Sequence, residues 1–205
     1  MHRVFRRGLT ALILGLLATP AMAELTVYYH AGSWDAFSGL AADGKPVCGI
    51  GITNPGDSRS FSVRFSVGEQ AVNFQAKKPS WNIPEDTQVP VVMQIGFDAP
   101  WTLQGTGKGQ VVDWTLDHTQ IQAFDMQFRR AGSMAVTFPS GNEAPWTLGL
   151  NGSTAISNSF GQCVNQMTAR AGQAPAAPAG PTQPFPQTQT QPATQEPTQP
   201  VLPPR

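Results

Sequence analysis

Residues 146–163, WTLGLNGSTAISNSFGQC, read in order as a short strand, a polar turn at Asn151-Gly152, an N-cap at Ser153 and an amphipathic helix that ends in one of only two cysteines. Ile156, Phe160, Cys163, Val164 and Met167 recur at the spacing of one helical face, so that face is expected to be buried. The other cysteine, Cys48, lies in the first well-marked strand, at the opposite end of the folded region. A Cys48–Cys163 bond is the expected tie between that strand and the last helix. The alternative is a pair of unbonded, buried thiols.

The chain's beginning argues for the bond. Arg3, Arg6 and Arg7 precede the apolar run Leu9 to Ala18, and Pro20, Ala21, Met22 and Ala23 close the segment. This is the pattern of a secretory signal peptide over residues 1–23, with an A-x-A cleavage site. The expected location is the periplasm of a Gram-negative bacterium or the medium outside it, where disulfides persist. Closing a loop of more than a hundred residues stabilises a fold by up to about 4 to 5 kcal/mol in the chain-entropy model. The apolar run is far too short to span a bilayer as a helix, and no membrane span is expected elsewhere.

Loss of the signal removes three of thirteen basic residues and no acidic one, leaving ten against thirteen and a net charge of −3. Lys77-Lys78 and Arg129-Arg130 are isolated pairs, read as solvated. No basic patch follows nucleic acid, so no nucleic-acid partner is expected.

From Ala171 onward the composition changes: ten of the nineteen prolines fall there, among Gln, Thr and Ala. Such a stretch cannot bury enough apolar surface to offset its ordering entropy, so 169–205 is expected to be a disordered tail. One β-rich domain is then expected within 24–168, folded from about residue 30.

Inside that domain, Val47 to Ile52 alternates and Asn54-Pro55-Gly56-Asp57 reads as a turn. Phe61, Val63, Phe65 and Val67 share one face of the cleanest strand, with Ser60, Ser62, Arg64 and Ser66 on the other, as in a half-buried antiparallel strand. Ala71 to Ala76 is a third strand, Pro79 to Asp86 a loop, and Val89 to Ile95 a fourth strand that Pro90 places at an edge or makes begin late. Asp98-Ala99-Pro100-Trp101-Thr102-Leu103 is nearly repeated as Glu143-Ala144-Pro145-Trp146-Thr147-Leu148, and Trp114-Thr115-Leu116 echoes part of it. Exposed tryptophans in an exported chain would suggest carbohydrate binding. In a strand, however, i and i+2 share a face, so each Trp points with its Leu and is read as core.

Asp117-His118-Thr119-Gln120 has the form of a capping box, followed by Ile121, Phe124 and Phe128 at helical spacing and by Arg129-Arg130 at the negative end. Phe124, Met126 and Phe128 also alternate as a strand would. Met134 to Phe138 is a strand, Pro139 to Asn142 a turn, and the opening stretch closes the domain. Strands, a helix, two strands and a helix give an α+β, mainly β class: an antiparallel sheet or partial barrel or sandwich with two helices at one side and one disulfide.

Reactive chemistry is sparse. His30 falls in an N-terminal segment read as poorly ordered, and His118 in the exposed first turn of a helix. Asp113 and Asp117 bracket a strand end and read as solvated carboxylates. Neither a nucleophile elbow, zinc spacing nor a glycine-rich phosphate loop occurs. No catalytic residue, metal ligand or cofactor is therefore assigned, and no binding residue can be named.

A helix ending at Ala131-Gly132, the strand Met134 to Phe138, a strand ending Leu148-Gly149-Leu150-Asn151-Gly152-Ser153 and a small-residue helix starting Thr154-Ala155 together resemble the C-terminal half of the invasion-associated locus B family. These are small exported proteins of alphaproteobacteria, and Trp34 and Cys48 also fit the order of features. The chain lacks the Gly-Cys element that family carries before its helix. The resemblance implies a non-enzymatic envelope or secreted protein, sometimes linked to host association.

The function expected is that of a non-catalytic binding or accessory protein with an envelope or extracellular protein as partner. The alternative is an inhibitor of a secreted protease or lysozyme, with Lys77 to Asp86 as the inserting loop. A hydrolase built on His118, Asp117 and a serine is a third reading.

Overall fold

A computed structural model describes residues 25–172. The expected signal peptide and the tail from 173 onward lie outside the described residues. The elements are β1 (Leu25–Ala31), β2 (Trp34–Leu40), β3 (Pro46–Thr53), β4 (Ser60–Ser66), β5 (Val72–Lys77), β6 (Ile83–Ile95), β7 (Trp101–Gly109), β8 (Val111–Leu116), α1 (His118–Arg130), β9 (Ser133–Thr137), β10 (Trp146–Gly149) and α2 (Ser153–Gly172).

All ten strands join one antiparallel sheet in the order β1-β2-β3-β4-β5-β8-β7-β6-β9-β10. The sheet curls into a half-barrel because both of its ends serve one core. Trp34 of β2 is fully buried beside Phe128 of α1 at 5.0 Å, and its indole N–H donates to the carbonyl of Gly149 on β10 at 2.9 Å. Ile50, Phe61, Phe74, Val91, Trp114, Val136 and Trp146 belong to the same buried cluster. Gly32, in the two-residue turn between β1 and β2, has φ +63°, and a Cβ there would stand 2.1 Å from the Asn151 carbonyl oxygen. The two sheet ends therefore meet where only glycine fits.

The capping box forms as read: the Asp117 carboxylate accepts from the Thr119 and Gln120 amides, and the Gln120 side chain returns to the Asp117 N–H. These bonds hold the Asp117 carboxyl below its ordinary range. Phe124 and Phe128 are buried while Met126 is 63% exposed, which is helical periodicity and decides between the two patterns open in the sequence. Cys48 and Cys163 are bonded across 6.0 Å between Cα atoms, tying α2 to β3.

Several expectations are corrected. His30 does not lie in a poorly ordered segment: it is part of β1, facing Asp35 of β2 with Nδ1 2.5 Å from the carboxylate. β1 escapes a reading by alternation because six of its seven residues are exposed, so no period of two marks it, and in β2 only Trp34 and Ala36 are buried. The loop expected at Pro79 to Asp86 ends early, since β6 begins at Ile83. Pro90 sits in the half of β6 that β9 does not reach, β9 pairing only with Val92 to Ile95.

Ser153 is not an N-cap; it opens α2, is buried, and its hydroxyl reaches the Arg129 carbonyl at 3.5 Å. The Gly152 carbonyl accepts the first helical bond, from Ile156. α2 continues past residue 168 to Gly172. Lys78 is not solvated but engaged by Glu143. Of the three echoed tryptophans, Trp114 and Trp146 are buried, whereas Trp101 is half-buried and donates to Gln127 Oε1 at 2.7 Å.

Candidate functional site

Both helices connect at one end of the curled sheet: α1 follows β8 and leads into β9, and α2 follows β10. The opposite end carries the β5–β6 and β9–β10 connections, and between them opens a cavity of about 410 Å³. Its walls are Trp81, Ile83, Val89, Pro90, Val112 and Phe138, with Ser140, Asn142 and Glu143 at the rim. That volume lies in the range of small-ligand pockets, and the composition, mostly apolar with a few polar groups at the edge, is what such pockets share.

The walls are held by one carboxylate. Glu143 Oε1 accepts from Lys78 Nζ at 2.8 Å and from the Trp146 indole at 2.9 Å, and Oε2 accepts from Lys78 Nζ at 2.9 Å and from the Trp81 indole at 3.2 Å. Partial burial pushes the Glu143 carboxyl up, but the bonds from Lys78, Trp146 and Trp81 outweigh it and hold the group below its ordinary value. Charge-assisted bonds of this kind are the strong ones, and four of them fix the carboxylate as an anion. Trp81 in turn stacks on Trp146 at 5.3 Å and meets Phe138 edge-on at 5.3 Å, while the Arg59 guanidinium lies 5.5 Å from the centre of the Trp146 ring. Two residues on β5–β6 and two on β9–β10 are thus locked together, and the pocket between them is preorganised rather than collapsible.

No family model, curated protein or solved structure matches the chain.

The residues singled out from sequence are scattered relative to this pocket. Cys48 and Cys163 form the bond on the α2 side, beside a separate groove of about 510 Å³ lined by Leu40, Val47, Met167 and Arg170. His30 is exposed on β1, and His118 is exposed at the start of α1 next to the capping Asp117. Asp113 is on the outward face of β8, where it accepts from Gln75 Nε2 at 2.9 Å and Arg64 Nη2 at 3.3 Å. The segment from Lys77 to Asp86 lies against its own fold through Lys78 and Trp81 and builds a pocket wall.

Sequence reasoning missed Glu143, Trp81 and Phe138. A signal was present in the repeated hexads: an acidic residue stands three before Trp in both Asp98 to Trp101 and Glu143 to Trp146. Only the second pair closes on itself. In the first, Asp98 instead pairs with Arg130 at 2.6 Å. Among the described residues no group of three or more His, Cys, Asp or Glu is placed to hold a metal ion, and no helix is long and apolar enough to cross a membrane.

Proposed function

We propose that this chain is a non-catalytic binding domain of the periplasm or the extracellular medium, and that its pocket receives an apolar side chain of an envelope or extracellular protein partner. The observation that carries the reading is the preformed apolar cavity beside Trp81 and Phe138, its walls clamped by Glu143. A clamped pocket loses little conformational freedom on binding, so more of the apolar burial remains as affinity. The anionic rim is already neutralised by Lys78, which favours an uncharged guest over an ionised one. The outline resemblance to the invasion-associated locus B family supports an exported, non-enzymatic role. An inhibitor acting through a protruding Lys77 to Asp86 loop finds less support, because Trp81 and Lys78 hold that segment down.

A photo-crosslinking residue in place of Ser140, at the pocket rim, tests the proposal in cells that export the chain. The expected result is one discrete adduct with another protein, abolished when Val89→Lys places an ammonium group in the apolar wall. No adduct, or an adduct indifferent to Val89→Lys in a chain that still folds, counts against the pocket.

A further inference from the structure

We infer that β1 is a pairing edge for a second copy of this chain, giving a two-fold dimer in which two half-barrel sheets run on into each other. A sheet has two edges, and each presents a row of backbone N–H and C=O groups that invites another strand unless it is guarded. The β10 edge is guarded: it is four residues long, the Gly149 carbonyl is taken by the Trp34 indole, and the end of β3 and the following turn face it across Trp146 to Leu148.

The β1 edge is not. It is seven residues long and pairs only with β2; α2 meets it through the Tyr28 hydroxyl, which donates to the Ser159 carbonyl at 3.1 Å, and Gly152 lies against the Ala31 carbonyl at its far end, but among the described residues no further hydrogen bond reaches the backbone of Leu25 to His30. LTVYYHA also lacks the usual deterrents: it holds no proline, lysine or acidic residue, and β-branched and aromatic side chains dominate it. Leu25, Val27, Tyr28 and Tyr29 are 42 to 47% exposed, and Leu40 of β2, beside the start of β1, is 50% exposed. These are five of the seven large apolar groups left exposed in the described residues.

Three features select a second copy over another strand. A partner with charged side chains would meet no complementary charge on β1 except at His30, itself engaged by Asp35. Two copies of β1 set antiparallel bring apolar against apolar with no like charges opposed, and such a contact is self-complementary. Because β10 is closed, β1 can pair only with another β1, so association stops at two copies instead of running on as a filament. The bulge between Val27 and Tyr29 adds twist to the strand, which further opposes flat stacking of many copies.

The test uses the full chain expressed with residues 1–23, so that export and oxidation proceed, and measures mass by equilibrium sedimentation. The expected result is a dimer in the micromolar range whose dissociation constant rises about tenfold or more in Val27→Lys. Val27 is exposed, so the variant should keep its circular dichroism and unfolding temperature. As a second readout, amide exchange along β1 should slow as wild-type concentration rises and should not in Val27→Lys. A chain that stays monomeric to about 100 µM, a dimer that Val27→Lys and Leu25→Lys both leave intact, or β1 protection independent of concentration would each overturn the inference. The pocket proposal stands or falls separately, since Val27→Lys leaves Val89 and its surroundings untouched.

Discussion

At the scale of single residues, Glu143 is the one whose environment departs furthest from what its sequence suggests. Its side chain is 17% exposed and its partner Lys78 22%, so each needs the other for compensation. Removing one member of such a pair costs roughly 3 kcal/mol, because the remaining charge is left unpaired, and Glu143→Ala should show a loss of about that size in urea unfolding. The pH dependence follows from the direction of the shift. The carboxyl titrates lower in the folded chain than in the unfolded one, where its value is about 4.3. Its contribution is therefore present in full above that value and is lost as pH falls through the lower, folded value. Glu143→Gln should accordingly flatten the fall of unfolding temperature in acid below about pH 4.3 relative to wild type; an unchanged slope would contradict the assignment.

At the scale of elements, the two helices depend on one arginine. Arg129, at the end of α1, donates from Nε to Asp125 at 2.6 Å and from Nη1 to Asn158 of α2 at 2.6 Å, while its carbonyl accepts from the hydroxyls of Ser153 and Thr154. The basic pair expected to complement the negative helix end does so, and it also reaches across to the second helix. Arg129→Ala should cost about 1 to 2 kcal/mol through the two lost charge-assisted bonds, read by urea unfolding. Arg129→Lys should restore only part, since a point charge cannot serve two directions as a planar guanidinium does. α1 itself was legible: the capping box and the spacing of Ile121, Phe124 and Phe128 are local properties. β1 was not, because an exposed edge strand has no buried face to write a period of two into its residues.

At the scale of the whole molecule, the Cys48–Cys163 bond closes a loop that runs from β3 to α2, a separation of 115 residues. Replacing both cysteines by alanine should lower stability by about 2 to 5 kcal/mol, measured by denaturant unfolding of the double variant against the oxidised chain; equal midpoints would show that the bond constrains nothing. The bond was readable from two cysteines in a chain whose first residues carry the pattern expected of an export signal, and so were the mainly β class, the two helices and the approximate limits of β3, β4, β5 and β9. Those features depend on local pattern: alternation, capping residues, turn residues and composition.

The closure of the sheet was another matter, for it rests on Trp34 meeting Gly149 and Gly32 meeting Asn151, contacts between residues more than a hundred positions apart. The pocket likewise needs Lys78 and Trp81 to find Glu143, and neither segment carries a mark of the other. A single sequence records what each stretch prefers for itself; which stretches become neighbours is decided only when the curled sheet brings its two ends to one core.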